Sequence, residues 1–175
     1  MTFRVNELTK NSILESLPWQ EYVDNPFVDT VWKPYLALHP MRKGAAGEAY
    51  VKAILENLGH RVEKRTNTGH DLIVDAFKLE IKFSLATKGK KDCFTWNHLA
   101  CEKDYDRALL VGINVDGEDR WKWFDRQDFC DNWQEGFSHQ QGGAKANNDD
   151  YMMLGSATSL LELPWIHDFS NWKAH

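Results

Sequence analysis

Two carboxylates and one lysine stand close together in the chain at a spacing that could serve a metal-dependent reaction. Asp71 and Glu80 are separated by eight residues, and Lys82 follows with one residue between, which gives the pattern D-x8-E-x-K. Carboxylate oxygens are ligands that Mg²⁺ prefers, and Mn²⁺ accepts the same ligand types. A lysine beside them could orient and deprotonate a water or neutralise charge that develops on a phosphate. The three residues therefore point to metal-assisted hydrolysis of a phosphodiester.

Two predicted strands carry these side chains. Residues 71–75 are typical of a short strand that starts just after a glycine, and in residues 77–83 apolar and charged side chains alternate. Because alternate side chains of a strand lie on one face, Glu80 and Lys82 are expected to share a face. The sequence therefore predicts a β-hairpin with the acidic and basic residues on one side.

The pairing of this hairpin decides how close the carboxylates come. With only Ala76-Phe77 or a slightly longer turn between the strands, antiparallel pairing sets Asp71 roughly opposite Lys82 and diagonal to Glu80. Diagonal neighbours are about 7–8 Å apart at the Cα level, a distance that two carboxylates can close around one metal ion. The backbone carbonyl of Ile81 could supply a further oxygen ligand. If the pairing slipped by one residue, the side chains of one strand would move to the opposite face of the sheet.

A helix ahead of the hairpin carries a third carboxylate. Between residues 44 and 58 the apolar side chains recur at helical spacing, and Gly59 follows as a stop. The apolar positions are Val51, Ile54, Leu55 and Leu58. Glu48 lies three residues before the first of them, on or beside the apolar stripe. It is a candidate for the same site, and a first-turn glutamate favoured by the helix dipole is the alternative interpretation.

The remaining segments predict further strands and helices of an α/β fold. The predicted strands cover residues 60–65, 108–113, 120–124 and 151–154, and the predicted helices cover residues 7–17 and 94–103. The strand over 108–113 is apolar throughout, as expected for a central strand buried on both faces. Asp125 is expected to cap a helix that carries Phe129, Cys130 and Trp133.

No linker or internal repeat divides the chain, so a single domain is expected. Within it we distinguish an N-terminal helical and irregular extension (1–41), a catalytic core (42–124) and C-terminal elements (125–175).

These residues resemble the PD-(D/E)xK nucleases, the restriction-endonuclease-like superfamily. The resemblance covers residues 44–83 well and residues 94–124 in outline, although His70 stands where the motif has proline. It implies an α/β core with a mixed sheet flanked by helices, and an endonuclease that cleaves phosphodiester bonds with Mg²⁺. It also implies a role for each residue: Asp71 and Glu80 as metal ligands, Lys82 as the motif lysine, and Glu48 as the helical glutamate that many members add.

The distribution of charge favours a nucleic-acid partner, despite a net charge of -5. Residues 42–103 carry 12 basic and 8 acidic side chains, whereas residues 104–175 carry 6 and 13. The basic excess therefore lies beside the candidate catalytic residues, where it could neutralise the phosphates of duplex DNA. The candidates for DNA contacts are Arg42, Lys43, Lys52, Arg65, Lys88, Lys90 and Lys91 for phosphates, and Asn97, His98, Gln140 and Gln141 for bases. Cutting both strands would favour a homodimer.

Other classes of protein are disfavoured by composition. No apolar run has the roughly 18 residues of a membrane span or the form of a signal peptide, so a cytoplasmic protein is expected. Three cysteines are too few for a disulfide framework and are compatible with reduced thiols. Cys93, His98 and Cys101 could contribute to a zinc site, but a fourth ligand is missing from the segment.

Several functions fit the same core. The alternatives are a homing endonuclease, a junction-resolving or repair nuclease, an RNA nuclease and, from another class, a nucleic-acid-binding module that does not cleave. The last is disfavoured because clustered carboxylates repel one another without a metal.

Overall fold

A long helix and a sheet of six strands make up most of the described structure. The computed structural model describes residues 26–27, 29–65, 67–87, 91–139, 151–153 and 161–172. Its helices are α1 (Lys33–Ala37), α2 (Pro40–Asn57) and α3 (Arg126–Asn132), with 3₁₀ turns at Trp133–Glu135 and Phe169–Asn171. Its strands are β1 (Val62–Lys64), β2 (Leu72–Val74), β3 (Phe77–Leu85), β4 (Trp96–Leu99), β5 (Arg107–Ile113), β6 (Asp119–Asp125), β7 (Phe137–His139), β8 (Tyr151–Met153) and β9 (His167–Asp168).

The larger sheet is mixed, which confirms the predicted α/β class. Its strand order is β1-β2-β3-β5-β6-β9. β3 and β5 run parallel, and the other neighbours are antiparallel. All seven residues of β5 are buried, as predicted for a central strand with both faces covered. β4, β8 and β7 form a second sheet of three strands. The predicted strands over 60–65, 71–75, 77–83, 120–124 and 151–154 are confirmed with small changes of their ends.

Helix α2 begins four residues earlier than predicted and lies against β3. Pro40 occupies its first turn, and the His39 side chain accepts a hydrogen bond from the Met41 amide. Proline is favoured there because the missing N–H would have no helical partner. Within the helix, a Cβ added to Gly47 would stand 2.7 Å from the Cβ of Phe83. The glycine therefore allows the helix backbone to approach the strand closely.

The hairpin of β2 and β3 turns one residue earlier than expected. Leu72 pairs with Leu79 and Val74 with Phe77, so the two-residue turn is Asp75-Ala76. Both turn residues have positive φ, 51° and 80°, as a hairpin turn that matches the strand twist requires. Moving the turn by one residue shifts the pairing by two.

The shifted pairing corrects the predicted register without changing faces. Continuing the observed register by one residue sets Asp71 beside Glu80, and the prediction that Asp71 lies opposite Lys82 is wrong. A shift of two residues keeps every side chain on its original face. Glu80 and Lys82 therefore still share a face.

The predicted helix over residues 94–103 is wrong, because this segment contains β4. Trp96 and Leu99 are buried, while Asn97 and His98 between them are exposed. His98 has a φ of 61°, and the pairing with β8 is irregular between Trp96 and Leu99. This irregularity breaks the two-residue alternation of a strand and produces the three-residue spacing that is typical of a helix.

Residues 167–172 close one edge of the larger sheet. β9 pairs with β6, and the guanidinium of Arg107 lies 4.4 Å from the ring centre of Trp123 and 5.0 Å from that of Trp172. Arg107 Nε also donates to Asp125 Oδ1 at 3.0 Å. Asp125 is the N-cap residue of α3, as predicted, but its side chain makes no capping hydrogen bond.

The cysteines differ from expectation. Cys101 and Cys130 form a disulfide, whereas Cys93 is free. The prediction of reduced thiols is therefore wrong for this pair. Trp133, expected in the same helix as Cys130, begins the 3₁₀ turn that follows α3.

Two further predictions concern membrane-spanning segments and the N-terminal helix. In the segments described, no helix has the length and apolar composition needed to cross a membrane. The predicted helix over residues 7–17 lies outside the described residues.

Candidate active site

A cleft of about 930 Å³ opens between the start of α2, β3 and β4. The four residues singled out by the motif all line it: Glu48, Asp71, Glu80 and Lys82. Ile81, the candidate carbonyl ligand, lines it as well. The structure thus brings together groups from one helix and from both sides of the hairpin.

Asp71 is fixed by a hydrogen bond across the hairpin. Its Oδ2 accepts from the backbone amide of Ile81 at 2.7 Å, and its own amide donates to the Leu79 carbonyl at 2.9 Å. Burial raises the pKa of Asp71, and the nearby charge of Glu80 raises it further. The Ile81 amide and the positive charge of Lys82 oppose this rise. The side chain is therefore held in one place, in surroundings that disfavour its negative charge.

Glu80 is the most enclosed carboxylate of the cleft, with 5% of its surface exposed. Its Oε1 lies 2.7 Å from Lys82 Nζ, so the predicted shared face of the two residues is confirmed. The same oxygen lies 3.1 Å from Nζ of Lys103. One carboxylate oxygen therefore contacts two ammonium groups.

Glu48 approaches the other carboxylates from α2. The side chain is half-buried, and burial raises its pKa, as does the negative charge of Asp71. Arg65 and Lys82 lower it. Because α2 begins at Pro40, Glu48 stands beyond the first turn, and the interpretation as a first-turn glutamate is wrong.

Lys103 was not identified from the sequence. It belongs to the loop that follows β4, and its Nζ donates to the His98 carbonyl at 2.7 Å as well as to Glu80. A Cβ on Gly69 would stand 2.7 Å from the Cβ of Asp104, so the loop ahead of Asp71 lies directly against the Lys103 loop. The sequence shows Gly69 two residues before Asp71, but it does not show that Gly69 lies against Asp104.

Of the candidates for DNA contacts that the structure describes, three line the cleft: Lys43, Asn97 and His98. Asn97 and His98 are exposed. The left-handed backbone of His98 is uncommon for a residue other than glycine and is often found at functional sites.

The other basic candidates occupy different places. Arg42 is exposed in the first turn of α2, and Arg65 is exposed and close enough to Glu48 to lower its pKa. Lys52 pairs with Glu56 on the helix surface at 3.7 Å.

Lys91 pairs with two carboxylates of the turn between β5 and β6. Its Nζ lies 2.8 Å from Glu118 and 3.4 Å from Asp116, and it does not line the cleft. The remaining candidates, Lys88, Lys90, Gln140 and Gln141, lie outside the described residues.

Within the described part of the chain, no three His, Cys, Asp or Glu side chains form a ready metal-binding group. The disulfide between Cys101 and Cys130 also argues against the zinc alternative, because Cys101 is then not available as a thiolate ligand. No protein-family model matches the chain, and no curated protein matches it.

Proposed function

We propose that the protein is a Mg²⁺-dependent endonuclease that hydrolyses phosphodiester bonds of DNA, with a restriction-endonuclease-like core. The observation that carries this proposal is the convergence of Asp71, Glu80, Lys82 and Glu48 in one cleft. The pKa values of Asp71 and Glu48 are both raised by burial and by neighbouring carboxylates. Negative groups gathered in this way, at a cost in stability, are typical of a site that receives a cation.

Although no three His, Cys, Asp or Glu side chains among the described residues form a ready metal-binding group, the pair Asp71 and Glu80 has the chemistry that Mg²⁺ prefers. This ion takes oxygen ligands, keeps several waters and is commonly held by one or two carboxylates. Asp71 and Glu80, neighbours across the hairpin, would hold it, with the Ile81 carbonyl and Glu48 as further oxygen donors, and Mn²⁺ would be accepted by the same ligands. When bound, the ion would polarise the phosphodiester and stabilise charge on the leaving oxygen.

In this proposal Lys82 would act on the attacking water. The Lys82 side chain is 14% exposed, and its ammonium lies 2.7 Å from Glu80 Oε1. A lysine fixed beside a carboxylate and facing the cleft can orient a water and stabilise the charge that develops on the phosphate. Its contact with Glu80 limits its freedom, so less entropy is lost when the substrate binds.

The fold and the charge distribution support the rest of the proposal. The resemblance implies a mixed sheet flanked by helices, and the chain has a six-stranded mixed sheet with α2 against β3. Residues 42–103 carry the excess of basic side chains, which favours a polyanion such as duplex DNA. A homodimer that cuts both strands and a cytoplasmic site of action belong to the same proposal.

Cleavage of supercoiled plasmid with Mg²⁺ or Mn²⁺ tests the function. We expect Asp71→Asn and Lys82→Met to lower the rate by at least about 100-fold. Lys122→Met is a matched control for the lysine, because Lys122 is also a strand lysine in an ion pair, with Asp168 at 2.9 Å and 17% exposed. Asp131→Asn on the surface of α3 is the control for the aspartate. Undiminished cleavage by the two cleft variants would refute the assignment.

A panel of substrates separates the candidate classes of nuclease. Linear duplex, four-way junction, single strand and RNA are each incubated with the protein and Mg²⁺. We expect the linear duplex to be cut fastest. A strong preference for the junction or for RNA would replace the DNA endonuclease by the corresponding alternative. DNA binding without cleavage of any substrate would favour the non-cleaving module.

A further inference from the structure

Resting on the function proposed above, we infer that Lys103 binds a backbone phosphate of the DNA held in the cleft. Lys103 belongs to no part of the D-x8-E-x-K pattern. It reaches the site from the loop between β4 and β5. The inference depends on its contacts, on the charge balance of the cleft and on the way its loop is held.

Lys103 lines the cleft, and its ammonium contacts two acceptors. It donates to Glu80 Oε1 at 3.1 Å and to the His98 carbonyl at 2.7 Å. An ammonium has three N–H donors, so these two contacts leave one for a ligand. The side chain is 30% exposed, whereas that of Lys82 is 14% exposed. Of the two lysines on Glu80, Lys103 is the more accessible to a bound molecule.

The charge of the cleft gives the second ammonium a purpose. Glu80 already has an ion pair with Lys82 at 2.7 Å, so Lys103 is not needed to neutralise that carboxylate. Three carboxylates line the cleft, Glu48, Asp71 and Glu80, and so do three ammonium groups, Lys43, Lys82 and Lys103, so the formal charges balance. A divalent cation would leave an excess of two positive charges, which favours a polyanion such as the DNA backbone. Without Lys103 this excess would be one positive charge.

The loop that carries Lys103 is fastened at several points. Asp104, the next residue, accepts from Lys78 Nζ at 2.7 Å and from Asn67 Nδ2 at 2.9 Å. The absence of a side chain at Gly69 allows this close approach. A lysine on a fixed backbone loses less entropy on binding than one on a free loop, which favours a role in recognition.

The other end of the loop is fastened as well. Cys101 forms the disulfide with Cys130, and its carbonyl accepts from Arg126 at 2.8 Å. Contacts on both sides of Lys103 therefore hold its backbone beside Glu80.

The salt dependence of DNA binding tests this inference. The full chain is titrated with a labelled duplex in Ca²⁺, and the binding constant is measured by anisotropy at several concentrations of salt. For Lys103→Met we expect weaker binding and a slope of log K against log salt that is smaller by about 0.9, the value for one phosphate contact. Lys103→Arg should keep the slope, and Lys122→Met should match the wild type. An unchanged slope for Lys103→Met and for Lys103→Gln would overturn the inference.

Calorimetric titration with Mg²⁺ in the absence of DNA separates phosphate binding from a role in holding Glu80. Lys103→Met should bind Mg²⁺ as tightly as the wild type or more tightly, since a cation that competes for Glu80 has been removed. Weaker Mg²⁺ binding would mean that Lys103 acts by positioning Glu80, and it would overturn the inference. Circular dichroism confirms that each variant is folded.

The failure of this inference is distinguishable from the failure of the proposed function. A wild-type protein that cleaves DNA, with a slope unaffected by Lys103→Met, keeps the function and overturns the inference. A wild-type protein that binds DNA with a slope dependent on Lys103 but cleaves nothing supports the inference and contradicts the function. Absence of DNA binding by the wild type overturns both.

Discussion

Gly47 of α2 faces Phe83 of β3 so closely that a Cβ on the glycine would lie 2.7 Å from the Cβ and 2.8 Å from the Cγ of the phenylalanine. This contact sets the distance between the helix that carries Glu48 and the strand that carries Glu80 and Lys82. The Cβ of Phe83 is fixed to the backbone and cannot rotate away. A larger residue at position 47 must therefore push the helix from the sheet.

Two alanine substitutions in α2 test this packing. Gly44→Ala should raise the free energy of unfolding by about 1 kcal/mol, because alanine favours helix and nothing lies within 4 Å of the added Cβ. Gly47→Ala gains the same helix propensity, but overpacking against Phe83 should lower the free energy of unfolding by about 1–3 kcal/mol. Urea denaturation measures both. Equal stabilities of the two variants would contradict the close contact.

The hairpin turn offers an opportunity to stabilise the protein. Ala76 has a φ of 80°, which is unfavourable for a residue with a Cβ. Ala76→Gly should raise the free energy of unfolding by about 0.5–1 kcal/mol. Gly117→Ala is the reciprocal control, since Gly117 also has a φ of 80° and open space around it, and this change should destabilise. A loss of thermal stability in Ala76→Gly would argue against the turn.

Asp75 gives the stability a dependence on pH. Burial tends to raise its pKa, but the hydrogen bonds from His60 and the Arg61 amide outweigh burial and hold the pKa below its ordinary value. A lowered pKa means that the stabilisation is present above the unfolded value of about 3.9 and is lost as the pH falls through the folded value. The free energy lost in Asp75→Asn should therefore be large near about pH 7 and small near about pH 3. Urea titrations at both pH values measure this, and an equal loss at both would contradict it.

Two basic residues should differ in their effect on DNA binding. Binding by the wild type should fall by roughly 100-fold between about 50 and 200 mM salt if four phosphates are contacted. Arg42 is exposed at the start of α2, and Arg42→Gln should reduce the salt slope by about one contact. Lys91 is paired with Glu118 and Asp116 outside the cleft, and Lys91→Gln should leave the slope unchanged. A wild-type affinity that is insensitive to salt would contradict an electrostatic mode of binding.

The parts of the fold predicted from sequence are those governed by neighbouring residues. The alternation around Glu80 and Lys82 fixed their common face, and the helical spacing placed Glu48 toward the apolar side of α2. The predicted register of the hairpin was wrong because the sequence does not show that Asp75 and Ala76 adopt positive φ. One displaced turn residue was enough to change the partner of Asp71.

The parts that were missed depend on contacts between distant segments. Lys103 reaches Glu80 across 23 residues, and the loop that brings it there follows a strand that resembles a helix in its spacing. The Cys101–Cys130 disulfide likewise joins residues 29 apart on separate elements. Local patterns carry no information about which loops will meet.

Trp172 makes contacts with Asp75 and Arg107 that can form only late in protein synthesis. Its indole nitrogen donates to Asp75 at 3.4 Å, and the two residues are 97 positions apart. Its carbonyl accepts from Arg107 at 3.3 Å. The hairpin that carries the acidic residues therefore leaves the ribosome long before its last partner exists. The contacts that join the hairpin turn to Trp172 must wait until translation has passed residue 172, and contacts between residues so distant in the chain slow folding.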